Sequence, residues 1–237
     1  MRVESRTRNE AVFLQIREDI LSGVLQPGSR LRFADMCARY GTSVGVVREA
    51  LSRISEQGLA RSEPQLGFSV VPVSIHDLRE LTDVRCDIEG LTLRYSVMEG
   101  DLAWESSIVA AHHRLVRTPA HLGDEKRTFN EEWGAVHKHF HTVLLDGCRN
   151  LRLRSIALSL RDAAEVYRRA ASRPVGTSQR DVATEHKQIV DAAVNRDADA
   201  AVAALVHHIR ATTDYIIEHS ASAFADGGHG NGSGRSD

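Results

Sequence analysis

Three histidines fall within five positions in the stretch "HKHFH", residues 137–141, in the middle of a helical pattern. Residues four apart on a helix share a face, so His137 and His141 project together while His139 points elsewhere. Trp133, His137, Phe140, His141 and Leu144 form one stripe of the kind that faces a core. Two inward imidazoles need partners, because an unpaired buried polar group is costly. A carboxylate, a backbone carbonyl, a water or a metal ion can serve. Arg85 raises the same question. It lies on the stripe Leu78, Leu81, Arg85, Ile88, Thr92, Tyr95, where an apolar residue is expected. A buried guanidinium requires an anion. Glu89, four residues on, supplies one within the helix; a small carboxylate ligand is the alternative.

The elements that must position these groups are mostly helical. Val12, Phe13, Ile16 and Ile20 mark a helix that ends at Gly23, preceded by the capping-box sequence "TRNE". "LQPGSRL" is a Pro-Gly turn. A short helix is expected around residues 33–40, ending at Gly41, and another at 43–57 with Val47, Ala50, Leu51 and Ile54 inward. "LARS" and "GFSVV" then read as two extended runs of a hairpin. Three helices with a tight turn before the third, followed by a hairpin, are the order of a winged helix-turn-helix. "PVS" at 72–74 is the linker, with Ser74 and Asp77 giving a helix start. Beyond it, about six helices and no strand pattern predict an all-α bundle. The expected division is a winged helix-turn-helix at 1–73, an all-α effector, metal-binding and dimerisation domain at 74–222, and a disordered Gly/Ser-rich tail at 223–237.

Composition narrows the class. A chain of 237 residues with 42% hydrophobic content is globular and long enough for two domains. No run approaches a membrane span, and the N-terminus lacks a signal peptide's apolar stretch. Cys37, Cys86 and Cys148 are scattered and odd in number, which points to a reducing compartment and buried thiols, hence a cytoplasmic protein. The first 73 residues hold ten Arg against eight acids, too small an excess to indicate nucleic acid by charge alone.

The motifs are more specific. "LQIREDILSGVLQPGSRL … YGTSVGVVREALSRISEQGLARSEPQLGFSV" resembles the N-terminal domain of the GntR family of bacterial transcription regulators over about 65 residues. The resemblance implies a homodimer that places one recognition helix per subunit in successive major grooves of palindromic double-stranded operator DNA, with the wings at the flanks. Ser43, Val44, Gly45 and Arg48 then start the recognition helix, and Gly67 belongs to the wing. Two family contacts are missing: Val44 and Ala34 stand where Arg is usual. Either the operator differs, or Arg32, Arg39, Arg53 and Arg61 compensate through phosphates. Val44 is also suited to a thymine methyl.

"RCDIEG" (85–90), "HKHFHTVLLDGCRN" (137–150) and "TEHKQIVDAAVNRDADAAVAALVHHI" (184–209) resemble the fatty-acid-regulator-type C-terminal domain of one large GntR subfamily, the FadR type. Many members bind a divalent metal through one Asp and three His. Matched by position, the ligands are His137 in place of the Asp, then His141, His186 and His208. Periodicity agrees: His186 shares a stripe with Ile189, Val190 and Ala193, and His208 with Leu205, Ile209, Thr212 and Ile216, whereas His139 and His207 fall off theirs. Four neutral imidazoles favour Zn²⁺, with Ni²⁺ or Cu²⁺ as alternatives. A hydrogen-bonded histidine cluster without metal is the competing arrangement. Arg85 is the candidate effector-binding residue, for a small carboxylate held between it and the metal; Asn150 reads as a turn or cap residue.

The resulting expectation is a ligand-responsive transcription regulator, a repressor, and not an enzyme. A metal-responsive sensor is the alternative. A metal-dependent hydrolase is the rival from another class, against which no acid is placed like the general base of "HExxH".

Overall fold

The computed structural model describes residues 8–63, 65, 67–72, 74–122, 128–171 and 180–219. The expected tail and the break at 172–179 lie outside these residues. Helix α1 (Arg8–Leu21) buries Val12, Phe13, Ile16 and Ile20, the spacing read from the sequence. Strand β1 (Arg30–Leu31) leads into α2 (Phe33–Tyr40). Gly41 stops α2 in the left-handed region, with φ 59° and ψ 41°, so its N–H reaches the Cys37 carbonyl. Helix α3 (Val44–Glu56) follows extended Ser43 and buries Val47, Ala50, Leu51 and Ile54.

Strands β2 (Ala60–Glu63) and β3 (Gly67–Val70) pair antiparallel, with Ala60 opposite Val70 and Glu63 opposite Gly67. The expected hairpin is in fact a three-stranded sheet, because β1 joins the free edge of β3 with Leu31 opposite Phe68. Two residues following a Pro-Gly turn carry no alternation. Their pairing is continued by bonds from Val70 N–H to the Ser29 carbonyl and from Gly28 N–H to the Val70 carbonyl.

Six helices follow among the described residues: α4 (Ile75–Glu99), α5 (Leu102–Arg117), α6 (Glu131–Leu145), α7 (Leu151–Ala171), α8 (Val182–Val194) and α9 (Ala198–His219). Their shared core includes Leu93, Ile108, Phe140, Leu144, Ile189, Leu205 and Ile209. One departure from the strandless expectation is a short antiparallel pair, β4 (His121–Leu122) with β5 (Thr128–Phe129), too brief for a period-two signal. A second concerns α4. Its deep face runs through Thr82, Cys86, Glu89, Leu93 and Ser96 beside Arg85, while Tyr95 is 38% exposed. Among the described residues no helix is long and apolar enough to cross a membrane.

The chain forms two compact units that do not follow it linearly. Residues 8–77 group with 162–171, and residues 78–161 with 180–219. In the first unit Val166 joins the core of Ile16, Val47, Leu51 and Ile54. Asp162 pairs with Arg17. The Tyr167 hydroxyl donates to Asp77, and burial together with that bond raises its pKa above the usual phenol range.

In the second unit the turn between α6 and α7 is close-packed. Trp104 Nε1 donates to the Val143 carbonyl at 3.0 Å, and Cys148 N–H donates to Ser96 Oγ at 3.0 Å. A Cβ on Gly147 would lie 2.6 Å from the Ser96 carbonyl oxygen and 2.9 Å from Trp104 Cε2. Gly147→Ala should therefore destabilise the protein by about 1–3 kcal/mol in urea unfolding; an unchanged midpoint would show that this turn yields freely.

Candidate functional site

The candidate DNA-contacting residues separate by what holds them. Ser43, Val44, Gly45 and Arg48 are all exposed at the start of α3, with Val44 at 47% exposure. Ser43 makes no side-chain cap bond, so its hydroxyl is not committed to the helix. Arg32 is exposed before α2, Arg61 is exposed on β2, and Gly67 opens β3 at φ 86°. Arg39 and Arg53 are engaged within the unit. Arg39 pairs with Asp19 at 3.0 Å, and Arg53 pairs with Glu10 at 2.9 Å while lying 3.8 Å from the Phe13 ring centre. Arg48 has a different neighbour, its guanidinium carbon 4.7 Å from the Phe33 ring centre.

In the second unit the four predicted histidines converge. His137 and His141 come from α6, His186 from α8 and His208 from α9, all buried, with one ligand nitrogen from each within 4.8 Å of the others. His137 Nε2 and His141 Nε2 are 3.2 Å apart. Trp133 stacks on His137 at 4.7 Å between ring centres, and Phe140 backs His141 and His186 at 5.0 and 5.1 Å. His139 and His207 are exposed, as their positions off the stripes predict.

Burial favours the neutral form of His141, His186 and His208. It pushes His186 down to about 2, helped by neighbouring His208. His141 falls well below the ordinary range through burial and then the charge of Arg161. His208 is also lowered by burial, although Glu185 opposes it. Neutral imidazoles with convergent lone pairs are what a divalent cation requires. Ligand nitrogens around tetrahedral Zn²⁺, about 2.0–2.1 Å from the ion, sit roughly 3.4 Å apart. The His137–His141 pair already has about that spacing. Among the described residues His186 Nε2 is buried without a hydrogen-bond partner, the kind of orphan that a cation resolves. The residues fit a metal.

Three participants were not read from the sequence. Glu185 Oε2 meets His208 Nδ1 at 2.8 Å, so that nitrogen carries the proton and Nε2 keeps its lone pair. Arg180 clamps the carboxylate, its Nε 2.7 Å from Glu185 Oε1, and also donates to the His208 carbonyl and Thr212 Oγ1. Burial alone would raise Glu185, but these bonds hold it down at about 2. Arg161 on α7 is the third. Arg85 does pair with Glu89, at 2.6 Å, and Arg161 meets the other oxygen of the same carboxylate at 2.8 Å. The "TEH" of 184–186 placed Glu185 beside a ligand, but its role depends on a helix 23 residues away. Arg161 gave no local signal. Asn150 accepts from Leu153 N–H at 3.1 Å, the expected cap.

Glu89 is 1% exposed. Burial raises its pKa, but Arg85 and Arg161 outweigh that and hold it below the usual 4.5. A lowered carboxylate stabilises the fold fully above its unfolded value and loses that stabilisation as pH falls through the folded one. Glu89→Gln should cost about 3–5 kcal/mol at pH 7, since the buried Arg85 guanidinium loses its counter-charge. It should also flatten the loss of stability below pH 4.5. Urea titrations at a series of pH values measure both, and an acid limb as steep as the wild type's would place the acid sensitivity elsewhere.

Comparison with known proteins accords with this architecture. Residues 8–70 match the bacterial regulatory proteins of the gntR family, and residues 80–211 match the FCD domain. The chain is 35% identical over 221 residues to the HTH-type transcriptional regulator BphR of Paraburkholderia xenovorans, covering 89% of this chain and 86% of that protein. It is 31% identical over 153 residues to the HTH-type transcriptional repressor GlaR of Escherichia coli, covering 65% and 69%. In fold it resembles the solved structure of E. coli McbR/YncC, with a TM-score of 0.72 at 18% identity over 90% of this chain and 99% of that one. The chain belongs to the GntR family of bacterial regulatory proteins, a DNA-binding transcription regulator rather than an enzyme, with a helix-turn-helix followed by a helical FCD domain.

Proposed function

We propose that the chain is a repressor that binds a palindromic operator as a homodimer. Its operator affinity is set by a small carboxylate metabolite beside a divalent cation, Zn²⁺ or Ni²⁺, held by His137, His141, His186 and His208. The observation that carries this reading is the convergence of four buried imidazoles from three helices. Likeness to the repressor GlaR supports the sign of regulation. The exposed side chains of Val84, Leu91, Tyr95 and Met98, spaced along one side of α4, support a second copy as partner.

A bound cation supplies an electrophile for an anionic group. This chain's residues supply the rest. Arg85, paired with Glu89 in the same unit as the imidazoles, is the guanidinium that would meet the metabolite carboxylate. Such a ligand shifts operator affinity only through unequal affinity for the DNA-competent and DNA-incompetent states. A second reading, with the ion itself as effector, draws on His137. A fourth imidazole closes a tetrahedral site and leaves no position for a metabolite, so the carboxylate reading requires His137 to stand off from the ion.

The purified protein should carry about one metal ion per chain, and chelation should lower its Tm, because an ion bound only to the fold stabilises it. His141→Ala, His186→Ala and His208→Ala should each abolish binding, whereas His139→Ala and His207→Ala should not. His137→Asp should retain a metal and widen the choice towards Mn²⁺. Glu185→Gln should weaken metal affinity by about 10- to 100-fold with the ligands intact. Elemental analysis without metal, together with chelator-insensitive melting, would reduce the cluster to hydrogen-bonded core.

Operator affinity measured with metal and with small carboxylates separately divides the two readings. A carboxylate effector should change it by about 5- to 150-fold. Arg85→Leu should remove that response and keep basal DNA binding, provided it folds to a wild-type circular-dichroism spectrum. A full response in Arg85→Leu would move the effector away from Arg85.

A further inference from the structure

Arg48 is the arginine of α3 that projects from the exposed start of the helix, and its partner is unusual. Arg17, Arg39 and Arg53 each meet a carboxylate. Among the described residues Arg48 has no ion pair or hydrogen bond, and its guanidinium lies over the ring of Phe33, the first residue of α2. That ring is fixed in turn. It meets Phe68 edge-on, with centres 6.1 Å apart and planes at 78°. Phe68 is buried on β3 opposite Leu31, two residues before Phe33.

The two kinds of partner differ in what they leave available. A carboxylate occupies the N–H edge of a guanidinium, whereas an aromatic ring engages its face and none of its five donors. Recognition of guanine uses that edge, as a paired contact to O6 and N7. A flexible arginine must also be ordered before it can make that contact, and a side chain already held by its face loses less freedom on binding.

We propose that Phe33 is a positioning residue for base readout. Its ring, braced by Phe68 of the wing sheet, presents the donor edge of Arg48 to a guanine in the major groove. The chain lacks arginine at Ala34 and Val44, so this single ordered arginine carries guanine discrimination in each half-site. The proposal rests on Arg48 facing DNA, and its test separates that premise from the role of Phe33.

Duplexes selected from a random library by the full-length wild-type protein define the site. Arg48→Ala then identifies the position at which guanine preference disappears. Phe33→Leu and Phe33→Met, which fill the space without an aromatic face, should lower discrimination at that same position by about 2- to 10-fold. The other positions and the salt dependence of binding should stay as in the wild type. Phe33→Tyr, which keeps the face, should behave as wild type. Independently of folding in the variants, the Arg48 Nε–H resonance of the wild type should show an upfield ring-current shift. Full discrimination in both Phe33→Leu and Phe33→Met overturns the proposal, as does a loss spread evenly over all sequences or an unshifted Arg48 resonance. Guanine preference retained by Arg48→Ala removes the premise instead.

Discussion

A charge taken out of water must be matched within a few ångströms, and the helical unit meets this constraint twice with a carboxylate. Glu89 lies between Arg85 and Arg161, and Glu185 lies between His208 and Arg180. Each acid ties two helices: Glu89 joins α4 to α7 across 72 residues, and Glu185 joins α8 to the next helix, α9. Burying an ion pair of this kind contributes little net stability compared with apolar packing. What it does supply is a fixed arrangement, because any other register leaves an ion alone in the interior. The histidine cluster inherits that order. With His208 Nδ1 committed to Glu185, the tautomer and ring orientation follow, and Nε2 is directed towards the other three imidazoles.

Much of this was legible in the sequence, for a physical reason. Helical stripes report which face is inward, so the pairing of His137 with His141, the inward turn of His186 and His208, and the outward turn of His139 and His207 all follow from spacing. Long-range partners have no such signature. Arg161 sits in ordinary polar surroundings in the sequence, and only the packed helices bring it to Glu89, 72 residues away. Arg180 is five residues from Glu185 but lies ahead of α8, where no helical spacing marks it. Strand β1 escaped notice because two residues cannot show a period, and β4 with β5 for the same reason. The line read from the sequence is buried at Leu78, Arg85 and Thr92, but at the C-terminal end of α4 the buried band passes through Leu93, Ser96 and Val97 and leaves Tyr95 38% exposed.

The arginines of the first unit show how one residue type serves opposite ends. Arg17, Arg39 and Arg53 are tied down by acids from neighbouring segments, and Arg53 also covers Phe13 with its guanidinium. These groups stiffen the scaffold under α3. Arg48, Arg32 and Arg61 remain at the surface. A nearly balanced charge count thus conceals a sorted one, since several positive charges are neutralised internally while others stay exposed. Net charge alone was uninformative about nucleic acid for this reason.

The composite first unit bears on how such a protein can be divided and recombined. Its core is completed by Val166, and Asp162 and Tyr167 add polar ties to Arg17 and Asp77, all from a helix encoded some 85 residues after the end of the contiguous DNA-reading segment. A fragment cut at residue 77 keeps the recognition helix but opens an apolar hole and takes the carboxylate away from half-buried Arg17. Gene fusions that join one relative's reading head to another's sensor face the same difficulty, because the seam is not one point on the chain. A workable graft must carry residues 162–171 along with the head, so exchange of operator preference between relatives requires two coordinated junctions rather than a single crossover.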